Sequence, residues 1–319
     1  MNNLIFNNPA VGDIDLVNDD YVRLTSITGV SAQSVINTQS VAGLDGSTEN
    51  QSYVPERPIT VNFRIRSGVD AEQAMHDMYR IFAARSHGTM TFVGRLGCST
   101  IDYVVQSCEI PPNQKPPMKG TAMLICTDPY FKALEGKSQI IAGSESVFMF
   151  PYTFPDTAFY ISRRFPSVFA DIINDGEADT ECTITFTANA QVVNPTLIDV
   201  ATGDTAKLNF TMLAGDVITI TTGKNNKKIL LTRGREVTNI FKYSIYPFRF
   251  FTLAQGKNTF KYAADGGVDD LDITMSWTAK YNAMYTNCPA AIDVRIPNKV
   301  IEDKLEEIAY IVRRDGLND

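Results

Sequence analysis

The sequence predicts a mainly β protein built as two β-rich units, with one helix inside the first unit and a helical extension at the end. Three observations carry this reading. Apolar and polar residues alternate over many short segments. Gly, Asn and Asp turns separate those segments at short intervals, as in Thr202-Gly203-Asp204, Ala214-Gly215-Asp216 and Asp265-Gly266-Gly267. Only two stretches show helical spacing of their apolar residues. Many short alternating strands joined by such turns form antiparallel sandwiches or barrels, half-buried on one face and wet on the other. At 319 residues the chain is long for one core, and two domains is the expectation from length.

Taken in chain order, Tyr21 to Thr28 is a first strand candidate, and Gly29 to Gln51 is polar, lacks a clear period and reads as a long loop. Pro58 to Ser67 alternates, with Ile59, Val61, Phe63 and Ile65 on one face. From Asp70 to Ser86 the residues Ala71, Ala74, Met75, Met78, Ile81 and Phe82 fall on one stripe, as in a helix laid on a sheet. Thr89 to Val93, Thr100 to Ile110 and Thr121 to Thr127 follow as strands. Between the last two lies a Pro-rich stretch from Ile110 to Met118. Proline cannot donate to a ladder, so this tip is expected to project as a stiff arm. A boundary is expected within Lys137 to Gly143.

Beyond it, Thr183 to Ala188, Ala206 to Leu213, Val217 to Thr222, Lys228 to Thr232 and Asn258 to Tyr262 read as strands. Leu271 to Tyr281 is the clearest of all. Leu271, Ile273, Met275, Trp277, Ala279 and Tyr281 face one way, and Asp272, Thr274, Ser276, Thr278 and Lys280 the other. Near the end, Ile301, Leu305, Ile308 and Val312 recur at helical spacing, with Asn298 as N-cap, Gly316 as stop, and Arg313 and Arg314 in the last turn where the helix dipole favours them. The expected organisation is 1–137, 138–281, and an extension over 282–319 with one amphipathic helix.

Composition excludes much. The chain has 29 Lys and Arg against 36 Asp and Glu, a net charge of −7, so it gains little from counterion release and is not expected to bind nucleic acid. The N-terminus lacks a basic segment followed by an apolar one, and no apolar run approaches a membrane span, so neither a secretory signal nor membrane insertion is expected. Five cysteines are widely spaced without a CxxC, which reads as reduced core thiols and folding in a reducing cytoplasm.

Candidate chemistry is sparse. The only histidines are His76 and His87; a His-Asp metal centre needs more, and a Cys-His or Ser-His pair would need a long-range coincidence. GxSxG, a P-loop, GxGxxG opening a helix and the EF-hand spacing are absent from the sequence, and Asp269, Asp270 and Asp272 read as a solvated turn. The protein is therefore expected not to be an enzyme, with no catalytic residues, no metal and no cofactor. Two surface features remain. Lys224, Lys227, Lys228, Arg233 and Arg235 form a basic hairpin, read as charges that keep a strand edge from pairing. Phe148, Phe150, Tyr152, Phe154, Phe159, Tyr160 and Phe165 form an aromatic run, read as core and subunit contact rather than a sugar platform.

The stretch from Asn194 to Tyr281 carries a resemblance. Its pieces are the Asn194-Pro195 entry, the Thr-Gly turn, Ala214-Gly215-Asp216 feeding VITITT, the hairpin with KKILL, Phe250-Phe251-Thr252-Leu253, Gly256-Lys257-Asn258, and the closing strand with Trp277. In the first half, ITVNFRIR, the helix with MYRIF, TIDYVV and the Asp128-Pro129-Tyr130-Phe131 ending fit as well. The sequence resembles the distal tail proteins of siphophages, the baseplate hub family.

That resemblance implies an N-terminal ring-forming domain, sandwich- or barrel-like with one helix and an extended hairpin, followed by a galectin-like β-sandwich. Six copies would close a ring in the virion, after assembly in the host cytoplasm. The ring would join the tail tube protein to the tail-tip spike or tail-associated lysin and carry receptor-binding proteins. Pro111, Pro112, Lys115, Pro116, Pro117 and Met118 stand where the inter-subunit hairpin is expected. Ile301, Leu305, Ile308 and Val312 lie in an extension beyond the family pattern, and their stripe needs cover from this chain or a partner. The alternative is a carbohydrate-binding adhesion module acting at the host cell wall, which needs an exposed aromatic row.

Overall fold

The computed structural model describes residues 3–40, 42–43, 45–66, 70–94, 97–111, 117–142, 144–146, 162–164 and 168–284. Within them the architecture is mainly β, with a single α-helix. The alternating segments pair antiparallel and sort into two hydrophobic cores.

The first core lies in a nine-stranded sheet. Its path runs Gly12–Asp15, Asn3–Asn8, His87–Val93, Cys98–Glu109, Met118–Cys126, Arg57–Ile65 and Val22–Thr28. Ile59, Val61, Phe63 and Ile65 are buried, as their spacing predicts. Phe63 stands opposite Gly120, where an added Cβ would meet the Phe63 ring at 2.5 Å, so the ring lies flat on backbone that only glycine leaves open.

The helix, Ala71–Ile81, is capped at its start by Asp70, which accepts from the Gln73 N–H at 3.1 Å. At its end the buried Asn8 side chain donates to the Ile81 carbonyl at 2.8 Å. The helix is shorter than its apolar stripe suggests. Past Phe82 the backbone leaves to bond the strand Cys98–Glu109, with Arg85 N donating to Val105 O at 2.9 Å and Val105 N to Ser86 O at 2.9 Å. Phe82 touches Phe6 edge-on at 5.3 Å and Phe63 in a stack at 6.4 Å. Those two rings come from strands with three others between them, so the sheet curls around the helix. It does not close into a barrel among the described residues.

The second core lies between two sheets. One runs Lys137–Ala142, Leu271–Trp277, Thr180–Ala188, Val217–Gly223, Asn226–Arg233 and Glu236–Asn239, with Thr252–Leu253 added beside Thr180. The other runs Phe169–Asn174, Gly256–Ala263, Thr196–Asp199 and Thr205–Lys207. Ile184, Phe186, Ile220, Ile273 and Met275 from the first pack with Ile172, Leu197, Ala206, Phe260 and Tyr262 from the second, which makes a two-sheet sandwich. The outer face of the larger sheet is hydroxylated, with Thr185 flanked in register by Thr219 and Thr274.

Three sequence expectations are corrected here. The stretch read as a loop, 29–51, contains a hairpin of Val35–Gln39 and Thr48–Tyr53. Every residue of both strands is exposed, so no alternation exists to be read. The segment Ala206 to Leu213 is two short pieces, Thr205–Lys207 and Thr211–Met212, that serve different sheets. Lys280 does not face solvent: the strand stops at Trp277, and the chain returns to the first core, burying Ala279, Lys280, Tyr281 and Met284.

The turn before Val217–Gly223 is held by a buried carboxylate. Asp216 is 1% exposed and accepts from Leu213 N at 2.8 Å and from Arg233 at 2.8 and 2.6 Å, a bidentate pair. Hydrogen bonds from Arg233, and then from the Leu213 N–H, hold the Asp216 carboxyl below the usual carboxylate range against the effect of burial. Asp216→Asn is expected to cost about 2 kcal/mol of unfolding free energy at neutral pH, read by urea denaturation. The wild-type advantage is full above the unfolded-state value of about 4 and disappears as pH falls through the lowered folded-state value. An advantage that instead persisted undiminished into strong acid would contradict this assignment.

Candidate assembly surfaces

The residues that chemistry would use are kept apart. His76 lies on the exposed side of the helix, its side chain 65% exposed and 3.8 Å from Asp77. His87 begins a different strand and is exposed. Among the described residues no group of His, Cys, Asp and Glu could hold a metal ion. Cys108, Cys126 and Cys182 are free thiols. Burial pushes Cys126 and Cys182 up to about 12 and Cys108 up to about 11, which leaves them protonated and unreactive. Asp270 lies in the turn Val268–Asp270, and Asp272 accepts from Asn189 Nδ2 at 2.8 Å; together they brace a strand entry.

The two cores meet at a cluster of charges. Lys280, 6% exposed, places Nζ 3.1 Å from Asp128 of the first unit and 2.6 Å from Glu181 of the second. Lys132 pairs with Asp102 at 2.8 Å beside it. Thr180 Oγ1 donates to Thr278 O at 2.6 Å, and Glu177 N to Lys280 O at 2.7 Å. Lys280–Tyr281 also pairs with Phe131–Lys132 as a short ladder. A cleft of about 450 Å³ opens here, lined among others by Lys132, Lys137, Glu181, Thr183, Trp277 and Lys280. Its lysines are each held by a carboxylate, Lys137 by Asp175 at 2.6 Å, so the cleft reads as a braced joint.

A second feature projects. The hairpin Val35–Gln39 with Thr48–Tyr53 forms a sheet of its own, paired to no other strand among the described residues. Ile36 is 58% exposed and Tyr53 53%. Its root is fixed. Arg57, buried after the second strand, donates to Val30 O at 3.2 Å and Asn282 O at 2.9 Å, with its guanidinium 5.0 Å from the Phe131 ring centre. Burial lowers the Arg57 pKa from its ordinary value. Ala32 N donates to Asn282 O at 2.7 Å and Met284 N to Val30 O at 3.1 Å. Gly29 has φ +83°, and a Cβ there would lie 2.0 Å from Pro58 O.

The sequence-predicted interface residues are placed in part. The ladder of the strands flanking the Pro-rich connection ends at Glu109 opposite Thr121, and Met118 pairs with Ile65. Pro111 and Pro117 are exposed and Met118 is half-buried against the first core, while Pro112, Lys115 and Pro116 lie outside the described residues. Tyr79 of the helix donates its hydroxyl to Ile110 O and accepts from Ile110 N, both at 3.3 Å, fixing the near end of the connection. Ile301, Leu305, Ile308 and Val312 lie outside the described residues, as does the aromatic run from Phe148 to Phe165. The exposed hairpin and the braced joint were missed by sequence reasoning. No periodic signal marks the first, and the second depends on residues more than a hundred positions apart, such as Asp128 and Lys280.

Residues 175–281, about a third of the chain, match the family described as siphovirus-type tail component, C-terminal domain. Residues 175–281 are therefore similar to the C-terminal domain of a siphovirus-type tail component. The match spans most of the second core, from the joint through its closing strand. Among solved structures, the Dit protein of phage SPP1, described as a paradigm of the hub adsorption apparatus in phages infecting Gram-positive hosts, aligns with a TM-score of 0.62 at 13% identity. That alignment covers 87% of this chain and 98% of that one. Chains of the phage P2 baseplate, in its activated conformation with Ca and with Sr, align with TM-scores of 0.49 and 0.47. Their identities are 10% and 11%, over 90% and 86% of this chain and 100% and 98% of theirs. At these identities the SPP1 likeness establishes the fold. No curated protein sequence matches the chain.

The joint holds one unit against the other. Lys280→Met is expected to destabilise the protein by about 3 kcal/mol, because Asp128 and Glu181 keep their charges without the buried ammonium between them. Urea unfolding is expected to be single-step in the wild type and to split into two transitions in the variant. Two steps already present in the wild type would show that the joint does not couple the units.

Proposed function

We propose that this protein is a distal tail protein, the hub of a phage tail tip, with six copies closed into a ring at the end of the tail tube. The first unit, about 1–137, lines the ring, and the second, about 138–281, is a galectin-like sandwich splayed outward. The hub joins the tail tube protein on one side to the tail-tip spike or tail-associated lysin on the other, and carries receptor-binding proteins. It assembles in the host cytoplasm. In this reading Pro111, Pro112, Lys115, Pro116, Pro117 and Met118 face a neighbouring copy, and Ile301, Leu305, Ile308 and Val312 seat the C-terminal segment, 282–319, on a partner.

The observation that best supports ring closure is the exposed hairpin. Two strands alone are marginal in water. This pair keeps Val35, Ile36 and Tyr53 exposed on a root anchored by Arg57 and by residues 282–284. A neighbour that covers it supplies the burial the hairpin lacks, and a head-to-tail contact of that kind closes a ring when the rotation per copy divides a full turn.

Native mass measurement at high protein concentration is expected to find six copies. The double variant Ile36→Asp, Tyr53→Asp should need at least about tenfold more protein to assemble, with its melting temperature unchanged, since both side chains are exposed in the single chain. A strict monomer at every concentration, or full assembly of the double variant at wild-type concentration, would overturn the reading.

A further inference from the structure

Positive charge is concentrated in one part of the second unit. Between Lys224 and Arg249 stand seven Lys and Arg against one acidic residue, Glu236; the chain's totals of 29 and 36 leave 22 basic against 35 acidic residues elsewhere. Two of the seven serve the fold, Arg233 on Asp216 and Arg249 3.5 Å from Asp204. Lys224, Lys227, Lys228, Arg235 and Lys242 form no ion pair among the described residues.

Two of these cations lie beside aromatic rings. Lys227 Nζ lies 5.4 Å from the Phe250 ring centre and Lys242 Nζ 5.0 Å from that of Tyr243. Phe250 stacks on Phe241 at 6.2 Å and 8°. Phe241 is 51% exposed and Tyr246 94%. Aromatic and cationic side chains on one surface are the composition of a protein-binding hot spot.

The same surface contains an open sheet edge. Glu236–Asn239 is the last strand of its sheet, bonded to Asn226–Arg233 on one side only among the described residues. The ladder opens with Arg233 opposite Glu236, and Ile240 N donates to Ile229 O, so antiparallel alternation turns the main-chain groups of Val237 and Asn239 outward. Val237 is 60% exposed. The lysines do not guard this edge: Lys227 and Lys228 stand on the neighbouring strand, and the edge itself reads Glu-Val-Thr-Asn.

We propose that this edge docks an extended, acidic segment of a partner protein. The segment's backbone adds to Val237 and Asn239, its carboxylates meet Lys227, Arg235 and Lys242, and its apolar side chains cover Phe241 and Val237. Charge complementarity selects the occupant: an edge with Lys227, Arg235 and Lys242 beside it, on an acidic chain, attracts acidic strands and repels basic ones. The assignment holds whether or not six copies close into a ring.

The test uses the full chain and a fluorescent peptide of roughly ten residues alternating Glu and Val, with a Gln–Val peptide and inorganic polyphosphate as comparators. Anisotropy at low salt is expected to show the Glu–Val peptide binding at least about tenfold more tightly than the Gln–Val peptide, and weakening as salt rises. Lys227→Glu with Lys242→Glu should lose at least about tenfold. Val237→Pro, which removes an outward N–H and leaves the inner ladder in place, should lose binding with its melting temperature kept. Equal binding of the two peptides, or binding unchanged in either variant, overturns the proposal. Polyphosphate displacing the peptide at equal charge would overturn it in favour of an anionic polymer. Ring failure with peptide binding intact would overturn the hub reading alone.

Discussion

A two-stranded ribbon with both faces in water has almost nothing to hold it: its hydrogen bonds compete with solvent, and it removes little apolar surface from water. The hairpin Val35–Gln39 with Thr48–Tyr53 is such a ribbon, yet its root is among the most constrained places in the molecule. Arg57 is buried between the carbonyls of Val30 and Asn282, Gly29 is pressed against Pro58, and the chain returning from the second unit lies along residues 30–32. A fixed root below an unsupported tip suits an arm that a neighbouring copy completes. The buried Lys280 belongs to the same logic, since it fixes the returning segment that anchors the root.

Where one face of a strand is buried, the fold was legible from spacing alone. Leu271 to Trp277 and Arg57 to Ile65 alternate in burial as their residues alternate in chemistry. Legibility ends where that condition fails. The arm has no buried face. Asn3–Asn8 has only Leu4 and Phe6 fully inside among its apolar residues, too few to stand out in a polar run. At Trp277 the strict period of two continues in the sequence through Tyr281 while the backbone changes sheets, so the pattern assigned Lys280 to solvent. Periodicity reports side-chain alternation and cannot report which core the chain is entering.

The surfaces were less legible for a related reason. Arg233 counted as one more charge of a basic hairpin, and only the register that brings it beside Asp216 shows it to be part of the turn. The prolines after Ile110 suggested an arm because proline stiffens a chain; the ladder beside them ends at Glu109 opposite Thr121, and residues 112–116 lie outside the described residues. The two histidines, His76 on the helix and His87 at the start of a strand, stand on different elements. The family resemblance rested on an order of turns and strands in the second unit, and residues 175–281 are the part that matches the tail-component family.

Hydrogen exchange across a dilution series tests the arm's role most directly. In dilute protein, amides of residues 35–39 and 48–53 should exchange close to the rate of unstructured chain, while those of Ile59 to Ile65 stay protected. At concentrations where copies associate, the arm amides should become protected by at least about a hundredfold, in step with assembled mass. Arm amides that exchange equally fast in the assembled particle, or that are already protected in the dilute monomer, would contradict the account.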